Sequence, residues 1–583
     1  MKSTLVSTLT LVTGAIALSI PSTSTGLSLP FVKPRQSCQN TPTSRQCWGE
    51  YSIDTNWYDK APDTGVTREY WLSVERGSCA PDGYQRTCMT FNGTVPGPAI
   101  TANWGDNLVI HVTNNIPDNG TSIHWHGMRQ VGSVEYDGVP GVTQCPISPG
   151  KSLTYKFRAT QYGGSWYHSH FTLQYAEGLF GPMNIYGPAT ANYDEDLGSV
   201  FLQDWPHTEA FALWYKARQG GPPVMENGLI NGTNTFNCTG SADKKCVGGG
   251  KKFEVNFEAG KKYRMSVVNV ATDGHFQFSI DGHSLTVIST DLVPIVPYKT
   301  DSVLVSIGQR YDVVVEANAK PGNYWLRAGW NSACANNGNA PDITGIVRYD
   351  KADKANPTSN STVIPSKSCG DEPLQSLVPH VPLDVTNIPI ISKELLGFKF
   401  TDYFRWTINT SSLVLDWKAP TLLKIFNNET IFPTEYNVVA VNWTQRTTKN
   451  PEWAVLVIQD QSGLGIAHPI HLHGHDFWVL AQTTGIFDGN PASFNTKNPP
   501  RRDTATLPGN GYLALAFQLD NPGAWLVHCH IAWHASEGLS LEFVEDQRDI
   551  AVTMHDTNIF MDQCRTWKNY TAVEVYHQDD SGI

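Results

Sequence analysis

Eight histidines stand in four His-x-His pairs, a spacing that could hold several metal ions. In a β-strand, residues two apart point to the same face, so each pair offers two imidazoles to one side. A single pair would more often consist of ordinary surface or core histidines, but four pairs together predict a metal site. Imidazole suits Cu, Zn, Fe and Ni, so the pairs alone leave the metal open. The pairs are His124 with His126, His168 with His170, His471 with His473, and His528 with His530.

Cys529 narrows the choice of metal. It lies between His528 and His530, so its sulfur points to the opposite face of an extended strand. His534, five residues later, and His468, just before the third pair, are the available imidazoles. One cysteine with two histidines is the ligand set of a blue-copper electron-transfer site. The alternative is an unpaired buried cysteine that acts as a small hydrophobe.

The segments around these residues repeat within the chain. Residues 166–170 match 526–530, and residues 123–127 match 470–474. Both copies keep their four paired histidines, which indicates one site shared by two domains. The three candidate ligands of the blue-copper site, in contrast, occur in the last copy only. The first copy has Thr121, Ser169 and Gln174 where the last has His468, Cys529 and His534.

The rest of the chain predicts an all-β protein. Short β-rich segments separated by Pro, Gly and Asn recur throughout, and long helical patterns are scarce. Such spacing is typical of β-sandwiches or barrels. A fainter middle copy of the repeat, at residues 321–325, carries no His-x-His pair. We therefore predict three domains, at residues 36–190, 191–370 and 371–583.

The first residues predict a secreted protein. Lys2 and the apolar run to Ile20 are typical of a signal peptide over residues 1–20, and a Ser/Thr/Pro-rich stretch to Arg35 indicates a pro-segment over residues 21–35. No later apolar run reaches transmembrane length, and a net charge of -12 gives no indication of binding to nucleic acid or an anionic membrane. Nine sequons fit a glycosylated extracellular protein: Asn92, Asn119, Asn231, Asn237, Asn360, Asn409, Asn428, Asn442 and Asn569.

Secretion makes disulfides available, and the eleven cysteines leave at least one without an intrachain partner. Proximity favours three short loops, Cys38–Cys47, Cys79–Cys88 and Cys238–Cys246. Cys145, Cys334, Cys369 and Cys564 remain for long-range links, and Cys529 is the odd one.

Several segments resemble those of the multicopper oxidases, and in particular the ascomycete-type laccases. The resemblance covers about residues 38–583. It implies three cupredoxin-like Greek-key domains, four copper ions, and oxidation of phenols or aromatic amines coupled to reduction of dioxygen to water. The segments are SIHWHG, DGVPGVTQCPI, WYHSHF, HPIHLHGHDF, NPPRRD, HCHIAWHASEGL and DSGI.

The resemblance also implies roles for individual residues. The type 1 copper would be held by His468, Cys529 and His534, and the type 2 copper by His124 and His471. One type 3 copper would be held by His126, His168 and His530, and the other by His170, His473 and His528. The implied disulfides are Cys38–Cys47, Cys145–Cys564 and Cys334–Cys369. The tail Asp580, Ser581, Gly582 and Ile583 would fit into the solvent channel near the trinuclear cluster.

Three further positions bear on the chemistry. Leu539 falls at the axial position of the type 1 site, where Met is often a weak ligand, and we expect a higher potential because Leu cannot ligate. Asp137 resembles a carboxylate that helps to deliver protons to oxygen. Glu226 occupies the place of a substrate-pocket carboxylate that would accept the phenolic proton. A solvated loop acid is the alternative for Glu226.

Other functions compete with a laccase. A ferroxidase would need acids converging on the type 1 pocket, and Glu226 is one candidate only. Ascorbate oxidase usually has Met where this chain has Leu539. A copper carrier without oxidase activity would need a mononuclear site but not eight paired histidines. We expect a secreted monomer that acts on small phenols and dioxygen, while the natural phenol stays open.

Overall fold

The computed structural model describes residues 38–350, 353–386, 388–443, 452–573 and 578–583. The predicted signal peptide and pro-segment lie outside these residues. The described chain folds mainly into strands arranged in successive pairs of sheets, which confirms the predicted all-β class of three cupredoxin-like sandwiches.

The first third contains ten strands: β1 Cys47–Trp48, β2 Tyr51–Ser52, β3 Thr67–Cys79, β4 Arg86–Phe91, β5 Ile100–Asn103, β6 Asn107–Asn114, β7 Ile123–His126, β8 Ser152–Arg158, β9 Gly163–Ser169 and β10 Phe180–Tyr186. They form two four-stranded sheets, of order β4-β3-β6-β8 and β5-β10-β9-β7, and the hairpin β1-β2. Buried and half-buried residues alternate along β6, so one face of its sheet packs into the sandwich.

The middle third contains eleven strands and one α-helix: β11 Glu195–Trp205, α1 Ala210–Gly220, β12 Asn227–Ile230, β13 Phe253–Phe257, β14 Lys262–Asn269, β15 Phe276–Ile280, β16 Leu285–Thr290, β17 Val293–Thr300, β18 Val303–Val305, β19 Arg310–Glu316, β20 Asn323–Trp330 and β21 Thr344–Tyr349. The sheet orders are β12-β11-β14-β19-β16-β17 and β13-β21-β20-β15-β18.

The last third contains the remaining strands and helices: β22 Ile390–Phe400, β23 Phe404–Ile408, α2 Thr421–Phe426, β24 Val438–Val441, β25 Trp453–Asp460, β26 His468–Leu472, β27 Phe477–Thr484, β28 Arg501–Arg502, β29 Thr504–Leu507, β30 Gly511–Gln518, β31 Gly523–Cys529, α3 Ala532–Ser536, β32 Ser540–Glu545, α4 Gln547–Thr553 and α5 Thr557–Val573. The sheet orders are β23-β22-β25-β30-β27-β28 and β24-β32-β31-β26-β29. Short 3₁₀ helices lie at Val134–Tyr136, Tyr175–Glu177, Ala340–Asp342, Leu374–Ser376, Thr434–Tyr436 and Pro491–Ser493.

The three thirds share one topology. Each has a parallel pair in both of its sheets: β3 with β6 and β5 with β10, β11 with β14 and β13 with β21, and β22 with β25 and β24 with β32. The chain passes from the first pair of sheets to the second between β10 and β11, and from the second to the third between β21 and β22. The predicted boundaries at residues 190 and 370 lie in these two connections. The middle copy is therefore complete in fold although it is faint in sequence.

Strand register places the histidines of both outer domains alike. In the first domain β7 pairs with β9 so that His124 lies opposite His168. In the last domain β26 pairs with β31 so that His471 lies opposite His528. The internal repeat in the sequence is thus a repeat of the same strand pair.

Helix α5 was not expected from the sequence. Its buried residues Phe560, Cys564 and Trp567 follow the spacing of one helical face, and the rest of its 17 residues are mostly polar. Cys564 bonds to Cys145 of the first domain and ties the helix there. The other disulfides join Cys38–Cys47, Cys79–Cys88, Cys238–Cys246 and Cys334–Cys369.

Candidate metal centres

The eight paired histidines converge between the first and last domains. The ring centroids of His124 and His473 are 3.9 Å apart, and those of His126 and His471 are also 3.9 Å apart. His170 lies 5.1 Å from His473. All eight side chains are buried. Strands from two domains therefore supply one shared cluster of imidazoles.

Hydrogen bonds to Nδ1 orient several of these rings. His124 Nδ1 donates to the Asp137 carbonyl at 2.8 Å, and His471 Nδ1 donates to the Asp503 carbonyl at 2.8 Å. Their Nε2 atoms are buried and have no hydrogen-bond partner among the described residues, as is also true for His168, His473 and His528. Buried imidazole nitrogens are rarely left unpaired, and a metal bound at Nε2 is the usual partner of a ring held at Nδ1.

The protonation of the cluster suits metal binding. Burial holds the pKa of five of these histidines well below the usual value, and the neighbouring imidazoles lower it further. The neutral imidazole is the form that binds a metal. The residues with this shift include His168, His170, His473, His528 and His530.

Asp503 is a cluster residue that the sequence analysis missed. Its carboxylate accepts two hydrogen bonds of 2.6 Å from the Arg310 guanidinium of the middle domain. One carboxylate oxygen also lies 3.4 Å from Nε2 of His126. Burial opposes ionisation, but Arg310 and the neighbouring histidines outweigh it and hold the pKa of Asp503 well below its usual range. Asp503 is the last residue of the NPPRRD segment, and its place in that motif is the one sequence feature that could have identified it as a site residue.

A second constellation forms on the opposite face of β31. The Sγ atom of Cys529 lies 3.7 Å from Nδ1 of His468 and 3.5 Å from Nδ1 of His534, and the two nitrogens are 3.0 Å apart. Cys529 ends β31, His468 begins β26, and His534 lies on α3. Leu539 is fully buried, and its carbonyl accepts the Cys529 N–H at 3.1 Å. One thiol and two imidazoles thus meet as in a blue-copper site.

The first domain fills the equivalent space with hydrogen bonds. Thr121 Oγ1 and Ser169 Oγ each donate to Oε1 of Gln174 at 2.8 Å. All three side chains are buried. The repeat therefore keeps the same three positions in contact but replaces the possible metal ligands by a satisfied polar network.

A cavity of about 220 Å³ lies beside His534. Trp406 contacts the imidazoles of both His468 and His534, with ring centroids 4.8 Å apart in each case. Glu226 is not among the residues that line this cavity, and its carboxylate accepts the His207 N–H at 3.0 Å. The lining residues are Ala217, Gln219, Gly221, Pro222, Phe400, Phe404, Trp406, Leu464, Ile466, Trp533, His534 and Glu537.

The tail packs beside the histidine cluster. Ser581 Oγ donates to the Ala535 carbonyl at 2.7 Å, and the Trp417 indole donates to the Gly582 carbonyl at 2.8 Å. Ile583 lines a cavity of about 20 Å³ together with His168, His170, His528 and His530. The predicted tail residues therefore reach the side of the cluster formed by these imidazoles.

Comparison with protein-family models agrees with this geometry. Models described as multicopper oxidase match residues 73–190, 197–352 and 414–549, which together make up more than half of the chain. The chain belongs to the multicopper oxidase family. This multicopper oxidase is 63% identical over 571 residues to Laccase-2 of Botryotinia fuckeliana, with 98% of the chain and 97% of that protein covered. It is 55% identical to Laccase-1 of the same organism, with 96% and 98% covered.

Solved structures of other multicopper oxidases share the fold. A crystal structure of the laccase from Botrytis aclada is 64% identical, covers 94% of this chain and 100% of its own, and has a TM-score of 0.91. Fet3p, described as a multicopper oxidase that functions in iron import, is 25% identical, with 86% and 95% covered and a TM-score of 0.75.

Both constellations in this multicopper oxidase fit copper. The cluster presents orphaned buried imidazole nitrogens, and the second site adds a buried thiol. Imidazole suits copper, and the combination of thiolate with two imidazoles is its mononuclear electron-transfer set. Among the described residues, no helix is long and apolar enough to span a bilayer.

Proposed function

We propose that this protein is a laccase, which removes single electrons from phenolic substrates beside His534 and reduces dioxygen to water at the histidine cluster. One observation carries the proposal. Cys529 faces the mononuclear site, and its neighbours His528 and His530 face the cluster, so adjacent residues join the two sites. The near-full-length identity to Laccase-2 and Laccase-1 of Botryotinia fuckeliana supports the same activity.

Four copper ions would give this protein the electron storage that dioxygen reduction needs. Dioxygen takes four electrons and four protons to become two waters, whereas a phenol gives one electron, and each copper would carry one. We assign the type 1 copper to His468, Cys529 and His534, the type 2 copper to His124 and His471, and the type 3 pair to His126, His168 and His530 and to His170, His473 and His528.

Other residues of the chain would bind the substrate, orient a histidine ligand, deliver protons and set the potential. The apolar cavity holds the aromatic ring against Trp406 and the edge of His534. Asp137 orients His473 through its carboxylate at 2.9 Å, and we assign to the same carboxylate the delivery of protons to oxygen. The buried Leu539, whose carbonyl accepts the Cys529 N–H, has no ligating side-chain atom, in keeping with a potential above that of a Met-ligated site.

The apolar cavity wall argues against a ferroxidase. Ferrous iron is bound best by several converging oxygen ligands, but the cavity wall is mostly aromatic and aliphatic, with Glu537 as its acid. Ascorbate oxidase is disfavoured because Leu539 stands at the usual Met position. A copper carrier would not need the eight-histidine cluster.

Oxygen uptake by copper-loaded protein tests the proposal. We expect the highest kcat/KM with a methoxyphenol and much lower values with ascorbate and ferrous iron. Fastest uptake with ferrous iron would overturn the proposal in favour of a ferroxidase. Copper binding without oxygen uptake with any donor would favour a carrier.

We also propose that the protein is secreted and glycosylated and acts as a monomer. The disulfides and sequons support an extracellular location. Asn231 is poorly suited to a glycan, because it is half-buried, its side-chain NH₂ donates to the Ser199 carbonyl and its side-chain oxygen accepts the Phe201 N–H. Mass spectrometry of secreted protein and light scattering would test these points.

A further inference from the structure

Trp71 is an exposed aromatic residue on the outer face of the first domain. It is 63% exposed, and it lies on β3 of the sheet β4-β3-β6-β8, which does not contain the histidine-bearing strands β7 and β9. A single exposed apolar residue is common on folded proteins, whereas a larger apolar surface with a polar rim is typical of a binding site. Trp71 belongs to such a larger surface.

The imidazole of His111 supports the indole of Trp71. The two residues lie opposite each other on β6 and β3, and their rings are stacked with centroids 5.2 Å apart and an interplanar angle of 23°. His111 Nε2 donates to the Glu69 carboxylate at 2.8 Å, and His111 Nδ1 accepts the Thr154 hydroxyl at 2.9 Å. The stack is therefore held in one orientation, with most of the indole open to solvent.

A groove of about 610 Å³ lies beside this stack, and we call it the outer groove. Residues of β6 and β8 line it, among them Val109. Val109 precedes His111 by two positions on β6, so their side chains share one face of the sheet. Val131, which is 47% exposed, adds a second apolar residue to the lining. Trp71 and the outer groove therefore form one continuous surface.

The charged side chains at the outer groove are paired with opposite charges. The Lys156 ammonium lies 3.4 Å from the Asp556 carboxylate, and the Arg158 guanidinium lies 3.3 Å from the Asp63 carboxylate. The surface therefore has little net charge of its own, while the whole chain carries a net charge of -12. Such a surface is complementary to a neutral ligand and disfavours a polyanion.

Tyr136 adds a buried polar group to the outer groove. It lines the groove, it is only 2% exposed, and its hydroxyl has no hydrogen-bond partner among the described residues. Buried hydroxyls nearly always have a partner. A ligand that carries hydroxyl groups would supply one.

We propose that Trp71 and the outer groove bind a neutral polysaccharide whose pyranose rings carry equatorial hydroxyls. The C–H bonds on the flat side of such a ring form an apolar surface that stacks on the indole. The hydroxyls at the ring edge bond to polar groups such as Glu69 and Tyr136. An aromatic ligand would also stack on Trp71 but would leave these polar groups without partners. The site uses neither the metal centres nor the cavity beside His534, so the inference does not depend on the proposed function.

Calorimetric titration of the copper-loaded protein with cellohexaose tests the proposal. We expect Trp71→Ala to weaken binding about 10-fold or more, because tryptophans are often the residues whose truncation costs a binding surface most. Trp71→Phe keeps an aromatic face and should lose less. The matched control is Tyr186→Ala, which removes a 39% exposed aromatic residue from the other sheet of the domain and should bind as the wild type does. Oxygen uptake with a methoxyphenol should be unchanged in Trp71→Ala.

Two results with sugar chains would overturn the proposal. One is an absence of cellohexaose binding by the wild type, or equal affinity in the wild type and Trp71→Ala. The other is tighter binding of hexagalacturonate, an acidic chain of the same length, which would contradict the choice of a neutral ligand.

The chain itself offers two competing occupants of the indole. The Asn92 side chain donates to the Trp71 carbonyl at 3.0 Å, so a glycan at this sequon would start beside the indole. Thr94→Ala removes the sequon and keeps Asn92. Binding of cellohexaose that occurs only in Thr94→Ala would assign Trp71 to the protein's own glycan and overturn the proposal. Dimerisation in light scattering that Trp71→Ala abolishes would overturn it in favour of a second copy of the chain.

Discussion

The Nδ1 atom of His473 donates a hydrogen bond to Oδ2 of Asp137, 2.9 Å away, across the boundary between the last and the first domain. The backbone carbonyl of Asp137 accepts a second hydrogen bond from Nδ1 of His124 at 2.8 Å. A single residue of the first domain therefore orients one imidazole from each domain. Residues that orient ligands in this way are as much a part of a metal site as the ligands.

Asp137→Ala should weaken copper binding at the cluster. Loss of the carboxylate leaves His473 Nδ1 buried without its partner, and removal of such a group typically costs 10–100-fold in metal affinity or activity. Asp137→Asn keeps an oxygen that can accept the hydrogen bond and should retain more copper. The measurement is copper per chain after dialysis against graded chelator. Equal retention by both variants and the wild type would contradict the role of Asp137 in orienting His473.

Cys529→Ser should separate the two sites. The variant should lose its intense visible absorption and its phenol oxidation, because the mononuclear site loses its thiolate. The eight imidazoles are untouched, so the paramagnetic signal of the type 2 copper should persist. Ser169 occupies the equivalent position in the first domain, so a serine fits this backbone. Phenol turnover that survives in Cys529→Ser would refute an electron path through residue 529.

The sequence predicted those parts of the site that depend on strand periodicity. His-x-His spacing, the offset of Cys529 and the absence of its counterpart at Ser169 follow from alternation along a strand and from the repeat. These features do not depend on which loops contact one another, so the order of residues along the chain was enough to predict them.

The missed features all depend on contacts between distant segments. Asp503 matters because Arg310 of the middle domain faces it, and the cavity beside His534 forms because α1 and β23 enclose it. The position of Glu226 away from the cavity lining follows from its bond to the His207 backbone. Helix α5 buries only one narrow face, so its sequence lacks a strong apolar pattern.

Removal of the Cys145–Cys564 disulfide should destabilise the protein more than removal of Cys238–Cys246. The first bond spans 419 residues and the second spans 8, and a longer loop loses more conformational entropy when it is closed in the unfolded chain. We expect losses of about 5 and about 2 kcal/mol for the paired alanine variants. Guanidinium denaturation of both variants checks this, and an equal shift of the midpoints would contradict the expectation.

Docking of the tail should weaken as the pH rises. Burial raises the pKa of Asp580 to about 7, Asp579 adds to the effect, and the Gly582 N–H and Arg405 oppose it. The docked segment therefore holds its proton more tightly than the free segment does. The resulting stabilisation is complete below pH 4 and is lost between about pH 4 and about pH 7.

Hydrogen exchange of the Ser581 and Gly582 amides measures this dependence. After correction for intrinsic rates, protection should be greater at pH 5 than at pH 8. Asp580→Asn should remove most of the difference, because an amide does not titrate, whereas Asp579→Asn should retain it. A pH dependence of the same size in Asp580→Asn would assign the effect to another group.

The hydrogen-bonded set of Thr121, Ser169 and Gln174 has a consequence for the metal-free protein. In the first domain this set is complete without any ion, so chelation leaves the hydrogen bonds among these three side chains unchanged. In the last domain the matching positions hold a thiol and two neutral imidazoles that depend on an ion for their full complement of bonds. Copper binding and folding are therefore linked unequally along the chain: a chaperone or a protease that samples the metal-free protein would find its weak point at the last copy of the repeat, not at the first.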